Sequence, residues 1–126
     1  MTVARRILLV EDEIPFRRSV AAYLEDSGYQ VLEAGSAEEG LRIFEQERPD
    51  VIVTDLRMPG AGGMELINRL CASYPETPIL VLTGTGDQLA QAAALEKGAR
   101  ECILKPITDL AKLEAAIERA LAATKR

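Results

Sequence analysis

Four apolar runs in this chain stop at groups that carry a charge or a hydroxyl, and this constrains the possible folds more than any other feature. Ile7-Leu8-Leu9-Val10 leads to Glu11-Asp12, and Val51-Ile52-Val53 leads through Thr54 to Asp55. Ile79-Leu80-Val81-Leu82 leads to Thr83, and Cys102-Ile103-Leu104 leads to Lys105-Pro106. Helical patterns lie between the runs. Such alternation is the signature of βαβ units, and so of a parallel sheet flanked by helices. In an open parallel α/β sheet the carboxyl ends of the strands share one edge, where ligands bind, so these side chains should converge on one cleft.

The pattern predicts strands near 6–11, 30–34, 51–54, 79–82 and 101–104, and helices near 14–27, 37–47, 64–73, 88–97 and 109–123. Pro15 falls in the opening turn of the first helix, where a missing N–H is harmless, and Gly28 follows its end. Ser36-Ala37-Glu38-Glu39 opens the second with a hydroxyl cap and acid in the first turn, and Leu41 and Phe44 supply its apolar stripe. Leu110, Leu113, Ile117 and Leu121 give the last helix its core face, leaving Lys112, Glu114, Glu118 and Arg119 toward water. The fold class is α/β, a single doubly wound five-stranded parallel sheet with five helices.

A length of 126 residues suits one domain, here 1–126 with a core of about 5–122 and a terminus or linker start at 123–126. A domain of this size buries roughly two-thirds of its unfolded surface. The net charge of −5 removes the basic footprint of a module that binds nucleic acid through phosphates. No positively charged start precedes an apolar signal core, and no apolar run approaches the roughly 20 residues of a membrane span. A cytoplasmic, soluble protein is expected. Histidine is absent, which eliminates Ser-His-Asp and Cys-His nucleophile pairs and the usual zinc sites. Cys71 and Cys102 read as small core residues rather than a disulfide.

Glu11, Asp12 and Asp55 at one edge form a cluster of three carboxylates, whose repulsion raises at least one pKa or calls for a compensating cation. Magnesium meets that need as a hard ion taking one or two carboxylates, waters and a phosphate oxygen. A carboxylate in such a field can attack phosphorus and become an aspartyl phosphate. Lys105 would then offset charge on the transferred group, and Thr83 could donate its hydroxyl to a phosphoryl oxygen.

These residues resemble the phosphoacceptor receiver domains of two-component response regulators, over roughly residues 5–122. Leu8-Leu9-Val10-Glu11-Asp12-Glu13 is similar to that family's first strand and acidic pair. Asp55-Leu56-Arg57-Met58-Pro59-Gly60 with Gly63 matches the phosphorylation-site strand and loop, Leu82-Thr83-Gly84 the hydroxyl position, and Lys105-Pro106 the lysine and its cis-proline turn. The resemblance implies a flavodoxin-like, receiver-type fold with Asp55 as phosphoacceptor. It implies Mg²⁺ held by Asp12, Asp55 and the main-chain carbonyl of Arg57, with Glu11 acting through a water. It also implies a sensor histidine kinase or phosphotransfer protein as phosphoryl donor and an output domain or downstream protein as reader.

Two positions depart from the family pattern. Ala61-Gly62 stands where receivers commonly have Met-Asp, and Cys102 where they have a Tyr or Phe that swings inward on activation. The readout is therefore expected to run through Thr83 and the loop Gly84-Thr85-Gly86, with Cys102 a bystander.

Three other readings fit less well. A haloacid-dehalogenase-like phosphatase would carry a second aspartate two residues beyond the nucleophile, and this chain has Arg57 there. A binding scaffold that works without phosphorylation should lack one of Asp12, Asp55 or Lys105, and all are present. A nucleotide-binding domain should show G-x-G-x-x-G after the first strand. The expectation is a phosphorylation-dependent signalling switch whose only catalysis is its own phosphorylation and slow hydrolysis.

Overall fold

The computed structural model describes residues 4–58, 62–84 and 86–124. Five strands alternate with five helices: β1 (Arg6–Val10), α1 (Ile14–Asp26), β2 (Gln30–Ala34), α2 (Ala37–Glu47), β3 (Val51–Asp55), α3 (Gly62–Ser73), β4 (Ile79–Thr83), α4 (Gln88–Lys97), β5 (Glu101–Leu104) and α5 (Leu110–Thr124). The strands form one sheet in the order β2-β1-β3-β4-β5, with every neighbouring pair parallel. Strand order reverses direction between β1 and β3, and at such a switch point the diverging connections leave a crevice beyond the carboxyl ends.

The apolar runs are continuous rather than alternating because both faces of the sheet are covered. Ile7, Leu9, Val51, Val53, Leu80 and Leu82 point to one face, where they meet Val20 and Leu24 of α1 and Leu113 and Ile117 of α5. Leu8, Val10, Ile52, Ile79 and Val81 point to the other, against Phe44 of α2, Leu66, Ile67 and Leu70 of α3, and Ala94 of α4. Each fully buried side chain of this size contributes roughly 1.5–3 kcal/mol. Cys71 and Cys102 are free and half-buried, packed against the second of these clusters. Leu104, apolar in the sequence, is 55% exposed because β5 is an edge strand.

Local signals set the helix ends. Ser36 accepts a hydrogen bond from Glu39 N–H at 3.1 Å, and the Glu39 carboxylate accepts one from Gly35 N–H at 2.7 Å. These two bonds satisfy donors that the helix cannot satisfy itself. At the far end of α2, Arg48 takes a left-handed φ of 49°, and its guanidinium lies 4.4 Å from the ring centre of Tyr74. Glu114, expected to face water, is half-buried and accepts the Tyr23 hydroxyl at 3.1 Å.

Helix α3 begins two residues earlier than its pattern suggests, at Gly62-Gly63. Glycine argues against helix by propensity, but packing against the end of β3 overrides that here. A Cβ on Gly63 would stand 2.0 Å from the Asp55 carbonyl oxygen and 2.9 Å from Leu56 Cα. Backbone therefore touches backbone directly beneath Asp55. By contrast, a Cβ on Gly84 meets nothing within 4 Å.

Gly63→Ala should accordingly destabilise the protein by about 2–3 kcal/mol, the upper end for overpacking. Gly84→Ala should stay within about 1 kcal/mol of the parent. Urea unfolding of both variants would check this, and equal costs would show that the close approach at Gly63 does not constrain the fold.

Candidate functional site

Strand register delivers the polar groups to one place. Val10 pairs with Thr54, so Glu11 and Asp55 are the next residues along their neighbouring strands. Asp55 pairs with Leu82 and Thr83 with Leu104, so Thr83 and Lys105 follow at the same edge. One carboxylate oxygen from each of Glu11, Asp12 and Asp55 lies within 4.8 Å of the others. Glu11 and Asp55 are buried while Asp12 is exposed at the mouth.

Lys105 reaches this cluster from the far edge of the sheet. Its backbone N–H donates to the Thr83 carbonyl at 2.7 Å, and the Lys105-Pro106 peptide is cis. The ammonium sits 4.9 Å above the Phe16 ring centre. Nζ stands 3.2 Å from Glu11 Oε1 and 3.1 Å from Asp55 Oδ2. Burial alone would lower the Lys105 pKa, but hydrogen bonds and charges from Asp55 and Glu11 outweigh it, and the net shift is upward. The lysine is thus a cation at neutral pH.

Glu11 is fully buried, and burial is the largest cause of a pKa pushed up to about 7. The Glu13 N–H, which donates to Glu11 Oε2 at 3.0 Å, opposes that shift, the charge on Asp55 adds to it, and Lys105 opposes it. The sequence expectation is a carboxylate pKa raised by repulsion; one is raised, but burial is the first cause and repulsion from Asp55 a lesser one. Both Glu11 oxygens are engaged, one by Lys105 and one by Glu13 N–H, as both Asp55 oxygens are by Lys105 and Arg57 N–H. Arg17 of α1 fixes the same corner: Nη1 donates to the Glu11 carbonyl at 3.0 Å and Nε to Glu33 Oε1 of β2 at 2.9 Å.

Arg57 is at the site through its backbone, since its N–H donates to Asp55 Oδ1 at 3.3 Å. Its side chain does something the sequence did not suggest. The guanidinium grips Asp87 in two-pronged fashion, Nε to Oδ2 at 2.8 Å and Nη2 to Oδ1 at 2.5 Å. The hydrogen bond from Arg57 holds the Asp87 pKa below the ordinary carboxylate value. The Thr83 hydroxyl is directed at Asp87 Oδ2, at 3.4 Å. Nothing in the sequence singles out Asp87, because a pairing across 30 residues leaves no local trace. Cys102 Sγ lies 3.9 Å from the Gln91 carbonyl, joining β5 to α4. Pro59, Gly60, Ala61 and Thr85, named above as parts of the two loops, lie outside the described residues.

Three carboxylates beside one ammonium leave an excess of negative charge, all of it on hard oxygen donors. That donor set fits a divalent cation such as Mg²⁺, and the half-exposed edge fits a polyanionic reactant that brings its own oxygens.

A family profile for the response regulator receiver domain matches residues 7–118. The chain is 35% identical over 122 residues to the phosphate regulon transcriptional regulatory protein PhoB of Pseudomonas aeruginosa, covering 93% of this chain and 53% of that protein. It is 35% identical over 101 residues to the transcriptional regulatory protein AfsQ1 of Streptomyces coelicolor, covering 80% of this chain and 44% of that one. The chain therefore spans about half the length of the curated relatives it matches. The crystal structure of a response regulator receiver domain protein from Clostridium thermocellum superposes with a TM-score of 0.90 at 35% identity, covering 94% of this chain and 95% of that one.

The raised pKa of Glu11 makes a prediction about metal-free protein. Below about pH 4.5, its ordinary pKa, Glu11 is protonated whether the chain is folded or not. Between 4.5 and about 7 the unfolded chain has released the proton while the folded chain keeps it, so stability falls as pH rises. At about 1.4 kcal/mol per pH unit the loss approaches ~3 kcal/mol by pH 7 to 8. Glu11→Gln removes it. Urea unfolding in chelator should show the variant gaining about 2–3 kcal/mol on the parent between pH 4.5 and 7.5. A difference that does not change with pH would contradict the assignment.

Proposed function

The chain belongs to the response regulator receiver domain family, and from that premise we propose that it is a phosphorylation-controlled switch in which Asp55 accepts a phosphoryl group. The observation that carries this reading is the placement of Lys105 Nζ 3.1 Å from Asp55 Oδ2 in a cleft that also holds Glu11 and Asp12. An Asp55 oxygen attacks phosphorus as a new O–P bond forms and the P–N bond of the donor's phosphohistidine breaks. The released imidazole nitrogen keeps the electron pair and takes up a proton. Lys105 remains protonated throughout and stabilises charge on the transferred oxygens, while Thr83 supplies a hydroxyl to one of them. Hydrolysis returns the Asp55 carboxylate when a water attacks phosphorus: a new P–O bond forms, the bond from phosphorus to the Asp55 oxygen breaks, and inorganic phosphate leaves with the water's proton shed to solvent.

Magnesium, when bound, would offset the charge of the carboxylates and the incoming phosphoryl oxygens. Its holders are Asp12, Asp55 and the main-chain carbonyl of Arg57, with Glu11 acting through a water. The exposure of Asp12 at the mouth of the cleft supports a direct role for that residue. The donor is a sensor histidine kinase or phosphotransfer protein, and the reader is an attached output domain or a downstream protein. Self-phosphorylation and slow hydrolysis are the only reactions proposed for the chain. The acidic net charge argues against direct nucleic-acid binding by this domain. Among the described residues no helix is long and apolar enough to cross a membrane, which suits a cytoplasmic setting.

With Mg²⁺ and acetyl phosphate, the protein should gain one phosphoryl group, seen as intact mass and mapped to Asp55. Asp55→Asn should remain unlabelled, and Lys105→Ala should label on the order of 10²-fold more slowly. Labelling of Asp55→Asn at the parent rate would rule out Asp55 as acceptor. No labelling of the parent would instead favour a phosphorylation-independent binding scaffold.

Calorimetric Mg²⁺ titration separates the acids. Asp12→Ala, which removes a direct ligand, should lose more affinity than the roughly 10–100-fold that loss of an outer-shell partner costs, and Glu11→Ala no more than that. Equal losses would contradict the proposed ligand set.

A further inference from the structure

Asp87 is the N-cap residue of α4, a position where an aspartate ordinarily accepts hydrogen bonds from the helix's first turn. Here its side chain makes no cap hydrogen bond. The carboxylate turns the other way, takes both prongs of Arg57 at 2.5 and 2.8 Å, and accepts the Thr83 hydroxyl at 3.4 Å. It thereby ties the segment leaving β3 to the segment leaving β4, the two that flank Asp55. The Asp87 side chain is only 12% exposed whereas that of Arg57 is 74% exposed, so the anchor is sheltered and the arm lies on the surface.

A threonine hydroxyl has one proton and so donates to one acceptor at a time. It cannot serve Asp87 and a phosphoryl oxygen on Asp55 together. Resting on the reading of Asp55 as acceptor, we propose that Asp87 is a positioning residue that holds the Thr83 hydroxyl and the Arg57 guanidinium in the unmodified protein, and that Thr83 must exchange Asp87 for a phosphoryl oxygen when Asp55 is modified. The relative strengths suit a switch. At 3.4 Å the Thr83 contact is long for O–H···O and therefore weak, while the charge-assisted fork from Arg57 fixes the carboxylate where it can accept. A doubly charged phosphoryl group wins such a contest, and until it arrives the hydroxyl has a place to stay. Helix α4 begins at the next residue, and the Arg57 fork keeps Asp87 in place there when Thr83 leaves.

Beryllofluoride with Mg²⁺, titrated into the full chain and followed by amide NMR, tests the exchange. If only a fraction of molecules have Thr83 free, apparent affinity is reduced by that fraction. Asp87→Ala, which loses no cap bond, should therefore bind beryllofluoride about three- to tenfold more tightly than the parent. Asp87→Asn, which keeps one acceptor oxygen, should shift in the same direction by less, and it decides the matter if the alanine variant fails to fold. Removing a negative charge near an anion also tightens binding by itself, so the cycle is completed in Thr83→Ala. There the Asp87 substitution should change affinity by less than about twofold, since the hydroxyl it governs is gone. Equal or weaker binding by the Asp87 variants, or the same gain with and without the Thr83 hydroxyl, would overturn the proposal. If the parent itself shows no beryllofluoride shifts centred on Asp55, the acceptor reading fails instead.

Discussion

The site depends on one ammonium shared by two buried carboxylates. Glu11 at the end of β1 and Asp55 at the end of β3 repel each other, and removing both charges from water would cost several kcal/mol each without a partner. Lys105 Nζ, 3.2 Å from one and 3.1 Å from the other, offsets this only in part. Glu11 is left poised between protonation states near neutral pH. The cleft carries more negative charge than the chain's own cation offsets, a donor set that suits a divalent cation.

The rest of the fold positions that triad. Five parallel strands with hydrophobic faces on both sides hold the backbone up to Val10, Thr54 and Leu104, leaving the following residues to face the crevice. Gly63 lets α3 abut the Asp55 carbonyl, and Arg17 ties the Glu11 carbonyl to β2. Phe16 lines the path of the lysine. Two of these supports, Phe16 and Arg17, come from α1 and the third, Gly63, from α3, so the charges are held by tertiary packing rather than by any local motif.

Much of this was legible in the sequence because hydrophobic periodicity and strand-end chemistry are local signals. The strands, the helix α4 at Gln88–Lys97 and the Ser36 cap follow from them within a residue or two. Glu11, Asp12, Asp55, Thr83 and Lys105 could be named because each closes an apolar run. What escaped was non-local. The start of α3 at Gly62 depends on contact with β3, which overrides glycine's low helix propensity. Asp87 carries no local signal, and only the folded chain shows its carboxylate spent on Arg57 and Thr83. The sequence points to Arg57 only through its main-chain carbonyl, whereas its side chain pairs with Asp87.

The central claim is that the charge-poised cleft at the β1–β3 switch point is where a phosphoryl group is accepted and read. A crystal structure of the protein with Mg²⁺ and beryllofluoride tests it most directly. Beryllium should be bonded to an Asp55 carboxylate oxygen, with Lys105 Nζ and the Thr83 hydroxyl on the fluorines and the cation among Asp12, Asp55 and the Arg57 carbonyl. Beryllofluoride bound away from Asp55, or on Asp55 with Lys105 still engaged only by carboxylates, would contradict it.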